Sequence, residues 1–77
     1  MSKLEKLLQR IKNNPKTVRF EELDKILLNA GYEKSQPRGG SSHYTYRKPN
    51  NDPITIPYHK PYINEIYVQA VIRALNL

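Results

Sequence analysis

The chain has no cysteine, so it can form no disulfide framework and offers no thiolate nucleophile. It also lacks any apolar run of the length a membrane span needs, and no signal-type apolar segment is present. It is therefore expected neither to cross a membrane nor to be exported, and a cytoplasmic location fits. Acidic side chains are scarce: seven Asp and Glu stand against 13 Lys and Arg, leaving a formal charge of +6. That imbalance points to a polyanionic or acidic partner, with nucleic acid first in line. Finally, 77 residues are few. A chain of this length buries only about 60% of its unfolded surface, so the expectation is a site on an open face rather than in a deep cavity.

Several chemistries fall away with these absences. Two histidines without cysteine, and with few carboxylates near them, fall short of a three- or four-ligand metal set, so no metal and no cofactor is expected. Ser41 and Ser42 adjoin His43, but no nucleophile elbow is visible around them. Paired carboxylates of the glycosidase kind are missing from the expected open face. Gly39-Gly40 lacks the lysine and the Ser/Thr that would make it a phosphate-binding loop.

What is present reads as three helices and three strands. Leu4, Leu7, Leu8 and Ile11 follow the i, i+3, i+4, i+7 rule, Ser2 is a suitable N-cap, and Asn13-Asn14-Pro15 ends the helix. Lys3, Lys6, Arg10 and Lys12 cover its remaining surface and are read as a solvated face. Phe20, Leu23, Leu27 and Ala30 repeat the stripe in a second helix. Glu21, Glu22 and Asp24 sit near its positive end, and Gly31 stands where a left-handed cap is wanted. The period then changes to two. Tyr32–Arg38, Ser42–Lys48 and Ile54–Tyr58 are the expected strands, with the Pro49–Pro53 cluster as a turn. Pro57 argues for an edge position in the third strand. Asn64 can cap a last helix whose core band is Tyr67, Val68, Val71, Ile72 and Leu75.

The predicted fold is α+β: a three-stranded antiparallel sheet covered on one face by helices, in the order helix, helix, strand, strand, strand, helix. One domain spans residues 1–77. On the second strand, alternation puts Tyr44 and Tyr46 toward the core and His43, Thr45 and Arg47 on the open face, with imidazole and guanidinium side by side. If the third strand runs on, Thr55 and His59 join that face. His59 reads first as structural, capping the strand end or hydrogen-bonding the following loop, and second as an acid or a phosphate contact near His43. Lys34, Arg38, Arg47, Lys48 and Lys60 form a candidate phosphate-facing set. An imidazole beside cations suits RNA cleavage, because RNA carries its own 2′-OH nucleophile. The protein need only move protons and stabilise phosphate charge.

The run Gly40-Ser41-Ser42-His43-Tyr44-Thr45-Tyr46-Arg47-Lys48-Pro49, followed by Ile54-Thr55-Ile56-Pro57-Tyr58-His59-Lys60, resembles the HicA family of bacterial toxins. That family's mark is a Gly-Ser-His triplet opening a strand, then a Val/Ile-x-Val/Ile-Pro strand after a turn. Phe20-Glu21-Glu22-Leu23 through Ala30-Gly31-Tyr32 is similar to the family's first core helix and its Gly-aromatic exit. The resemblance implies a double-stranded-RNA-binding-domain-like core over residues 18–77, with residues 1–14 as an additional N-terminal helix. It implies a metal-independent endoribonuclease toxin that acts on mRNA and is neutralised by a cognate HicB-type antitoxin. The family's catalytic histidine falls on His43 and its serine on Ser42, while Ser41 occupies the triplet's glycine position. Arg38, Ser42, Arg47, Lys48 and Lys60 are then the expected RNA contacts. The alternative is a non-catalytic module that binds double-stranded RNA by its shape and backbone.

Overall fold

A computed structural model describes residues 3–35, 39 and 42–77. The element order is α1 (Lys3–Asn13), a 3₁₀ turn (Pro15–Thr17), α2 (Phe20–Asn29), β1 (Glu33–Ser35), β2 (His43–Arg47), β3 (Ile54–Pro57) and α3 (Glu65–Ala74). The strands form one antiparallel sheet in the order β1-β2-β3. This is the α+β, double-stranded-RNA-binding-domain-like architecture that the periodicity and the resemblance predict. The expected N-cap, Ser2, lies outside the described residues, as do Gln36 to Arg38 at the end of the first expected strand.

Each helix ends for a local reason. In α2 the Glu22 carboxylate accepts the Arg19 backbone N–H at 2.9 Å and also pairs with Arg10 of α1. At its other end Gly31 has φ +97, the Tyr32 N–H reaches the Leu27 carbonyl at 3.1 Å, and the Gly31 N–H reaches that of Leu28 at 3.2 Å. These two bonds close a Schellman motif, and the positive φ is why glycine stands there. Tyr32 folds back into the core behind it. The same pair of bonds ends α3, with Asn76 at φ 61 and N–H donation from Leu77 to Ile72 and from Asn76 to Arg73. Asn64 caps the start of α3 as expected, its side-chain oxygen accepting the Ile66 N–H at 2.9 Å.

The core lies between the sheet and the helices. It gathers Phe20, Leu23, Ile26 and Leu27 of α2, Tyr46 and Ile56 of the sheet, and Val68 and Val71 of α3. Ile11 of α1 joins it, with Leu4, Leu7 and Leu8 partly buried alongside. Tyr46 is wholly buried, and its hydroxyl donates to Asp24 Oδ1 at 2.6 Å. Burial first, and then that hydrogen bond to a carboxylate, push the phenol well above its ordinary value of 10.0. Asp24 also pairs with Lys34 of β1 at 3.0 Å, so one carboxylate ties α2 to two strands.

Register follows from parity. The Tyr58 N–H donates to the Ser42 carbonyl at 2.7 Å, so the even-numbered residues of β3 turn their N–H groups toward β2. Pro53 and Pro57 fall on the odd, outward-facing side, where a missing N–H breaks no ladder bond. The proline-based expectation of an edge strand holds.

Candidate functional site

The face of the sheet turned away from the helices carries Glu33 and Ser35 of β1, His43, Thr45 and Arg47 of β2, and Thr55 and Pro57 of β3, by alternation and register. His43 and Arg47 are exposed at the two ends of β2. At about 3.4 Å per residue their Cα atoms are about 13 Å apart. They share a face, but the side-by-side arrangement expected from the sequence is not what the strand provides. Between them Thr45 and Thr55 oppose each other with hydroxyl oxygens 3.3 Å apart. Arg47 stands in register with Glu33, whose carboxylate tempers the positive field at that end. Pro57 is the direct cross-strand partner of His43. The two form a non-hydrogen-bonded pair, in which side chains approach most closely.

The cations of the expected phosphate-facing set divide. Lys34 turns to the helix side, where it pairs with Asp24 and lies 4.8 Å from the Tyr44 ring centroid and 5.5 Å from that of Phe20. Lys48 donates to the Ala30 carbonyl at 2.7 Å and sits over the Tyr32 ring, completing the C-terminal cap of α2. Both are half-buried structural cations. The period-2 rule that sends His43 outward already places Lys48 on the tyrosine side, so this division is available in the sequence. Lys60 remains exposed in the loop after β3, its ammonium 5.9 Å from the Tyr58 ring centroid. Arg38 and Ser41 lie outside the described residues. Ser42 is exposed, and its carbonyl is the acceptor that holds Tyr58.

β3 stops at Pro57, so the strand does not carry His59 onto the face of His43. Instead the chain turns, and His59 Nδ1 lies 2.9 Å from the Tyr62 carbonyl oxygen. A groove of about 430 Å³ opens there between Ser42, Pro57, Tyr58, His59, Tyr62 and Asn64. A neighbouring one, of about 380 Å³, adds Arg19 and Lys60. Arg19 and Tyr62 escape a reading of the sequence. Tyr62 sits in a break between elements, where no periodicity marks a face, and Arg19 precedes its helix by one residue. Among the described residues no group of three or more His, Asp or Glu side chains is placed to hold a metal ion.

An open face with an exposed histidine, on a sheet of this order and register, is the setting in which the family comparison becomes informative. Residues 20–77 match the family model described as the HicA toxin of bacterial toxin–antitoxin systems. The chain belongs to the HicA toxin family. No curated protein and no solved structure matches it. The matched segment begins at the first residue of α2 and takes in the whole sheet and α3, leaving α1 and the 3₁₀ turn outside it. As a HicA toxin the chain belongs to a two-component system with a cognate antitoxin. Among the described residues no helix is long and apolar enough to cross a membrane.

Proposed function

We propose that this HicA toxin is a metal-independent endoribonuclease that cleaves mRNA, with His43 as general acid/base. The observation that carries the reading is the exposed position of His43 at the start of β2, on the open face of a sheet whose other face is filled by helices, in a chain of this family. A histidine there can meet a phosphodiester without a cavity. Proton transfer by such a group contributes about 10²–10⁴-fold. Arg47 contacts another phosphate of the same RNA strand, about 13 Å along β2, while Ser42 and Lys60 supply contacts at the His43 end, and Arg38 is a further RNA contact. Lys48 supports the fold rather than the RNA. Residues 18–77 are the functional core, and residues 1–14 add a packing helix.

The antitoxin, of HicB type, covers the same face. A standard interface takes about 800 Å² from each partner, a large fraction of any one side of a molecule whose whole surface is 5383 Å². Purified protein is incubated with single-stranded and duplex RNA, with and without EDTA, beside His43→Ala. Cleavage that survives EDTA and disappears in the variant supports the proposal. Retention of duplex RNA without cleavage would favour the non-catalytic binding module instead, and the absence of both would leave only a protein-interaction role.

A further inference from the structure

Cleavage through the 2′-OH needs two proton transfers, one from the attacking oxygen and one to the leaving oxygen. The ribonuclease reading names a single histidine, and a catalytic role for any second one rests on that reading. The structure holds a second histidine in a defined orientation. The Tyr62 carbonyl can only accept, so at 2.9 Å His59 Nδ1 must carry the proton that is shared between them. That contact fixes the ring and leaves Nε2 as the atom able to exchange a proton. His59 is exposed, and it lines the groove that reaches Pro57, the cross-strand partner of His43. His59 follows Pro57 by two residues, which span at most about 7 Å, so the two histidine Cα atoms lie within about 12 Å of each other. Side chains at that separation can stand on opposite sides of one phosphate. The groove walls supply an exposed tyrosine ring, Tyr62 at 41%, against which a base can stack. Arg19 and Lys60, in the adjoining depression, bring positive charge.

We propose that His59 is the second catalytic residue, and that its groove is the subsite for the nucleotide on the leaving-group side. His43 takes the 2′-OH proton, and O2′ bonds to phosphorus. The bond from phosphorus to O5′ breaks, and His59, doubly protonated, gives its Nε2 proton to O5′. The products are a 2′,3′-cyclic phosphate and a 5′-OH. His59 is left neutral with Nδ1–H still on the Tyr62 carbonyl, and His43 is left protonated, so one proton has moved from 2′-OH to 5′-O with no net change.

The test compares two oligoribonucleotides at a site the wild-type protein cuts: one ordinary, one with sulfur replacing the bridging 5′-oxygen. A thiol ionises near 8.5, far more readily than an alcohol, so the sulfur departs without an acid. His59→Asn keeps an N–H donor for the Tyr62 carbonyl and removes Nε2. It should slow cleavage of the ordinary RNA by about 10²–10⁴-fold and cut the sulfur RNA within about tenfold of wild type. His43→Ala should be slow on both. Should the asparagine variant fail to fold, His59→Gln carries the same comparison. A His59→Asn protein that cuts ordinary RNA at the wild-type rate, or is equally impaired on both substrates, overturns the assignment. Wild-type protein that leaves both RNAs intact overturns the ribonuclease reading and this proposal with it.

Discussion

The two faces of the sheet are built from alternating residues of the same strands, yet they are organised in opposite ways. On the helix side the polar groups carry structural tasks. Tyr46 and Lys34 share Asp24, and Lys48 closes α2. On the other side His43, Arg47 and Thr55 stand exposed, and a hydrogen bond between Thr45 and Thr55 links β2 to β3. A basic residue is therefore not interchangeable with its neighbour. Arg47 and Lys48 are adjacent in sequence, and one faces solvent while the other holds a helix end. Net charge alone says nothing of this, and residue parity decides it.

The comparison breaks most visibly at His43. His43→Ala should lower RNA cleavage by about 10²–10⁴-fold, while stability, followed by thermal melting, changes by no more than about 0.5 kcal/mol. Full activity in the folded variant would remove His43 from the chemistry. On the buried side the balance reverses. Tyr46→Phe should cost about 1–2 kcal/mol, because Asp24 loses a charge-assisted hydrogen bond and the packing stays intact. Denaturant titration measures it, and cleavage at matched folded fraction should be unchanged.

The raised phenol of Tyr46 adds a pH signature. It stays protonated when folded but ionises near its ordinary 10.0 when unfolded. The unfolded state therefore binds fewer protons above that pH, and stability falls as pH rises, by up to about 1.4 kcal/mol per unit. Below pH 10 the contribution is fully present. Tyr46→Phe should flatten the decline above pH 10 relative to wild type, and parallel curves would show that the hydroxyl is not held as described.

Separating the adjacent cations sharpens the contrast further. Arg47→Gln should reduce the slope of log affinity for RNA against log salt by about 0.7–0.9 and leave melting unchanged. Lys48→Gln should do the opposite, losing about 0.5–1 kcal/mol of stability at the α2 terminus with the salt slope intact. Equal effects on binding would mean that Lys48 leaves its cap when RNA arrives. A further effect, on the fold alone, is at Gly31. Gly31→Ala meets only the end of the Lys48 side chain at 3.5 Å, so its cost of about 1 kcal/mol comes from the positive φ.

Where a signal is periodic or stereochemical, the sequence is legible. The stripes of α1 and α2, the caps at Gly31 and Asn64, the tyrosine face of β2 and the edge position of β3 all express rules local to a few residues. Counting charge before applying parity misplaces the lysines, grouping Lys34 and Lys48 with cations of the opposite face. That His59 hydrogen-bonds the following loop is a reading that holds, but its exact place is not legible in the sequence. It depends on where β3 stops and on a carbonyl three residues onward, and neither leaves a mark in composition or spacing. The family resemblance points to His43, and the structure supplies its position on the sheet.

Pro57 of β3, and Pro53 just before the strand, have a consequence beyond register. With Pro53 and Pro57 on the outward side, Thr55 offers the one outward-pointing N–H of that edge. Another chain cannot zip onto it as a fourth strand, since an added strand needs alternating donors and acceptors along its length. An edge so poor in donors resists strand-by-strand aggregation, and it leaves a partner there mainly carbonyls and side chains to grip.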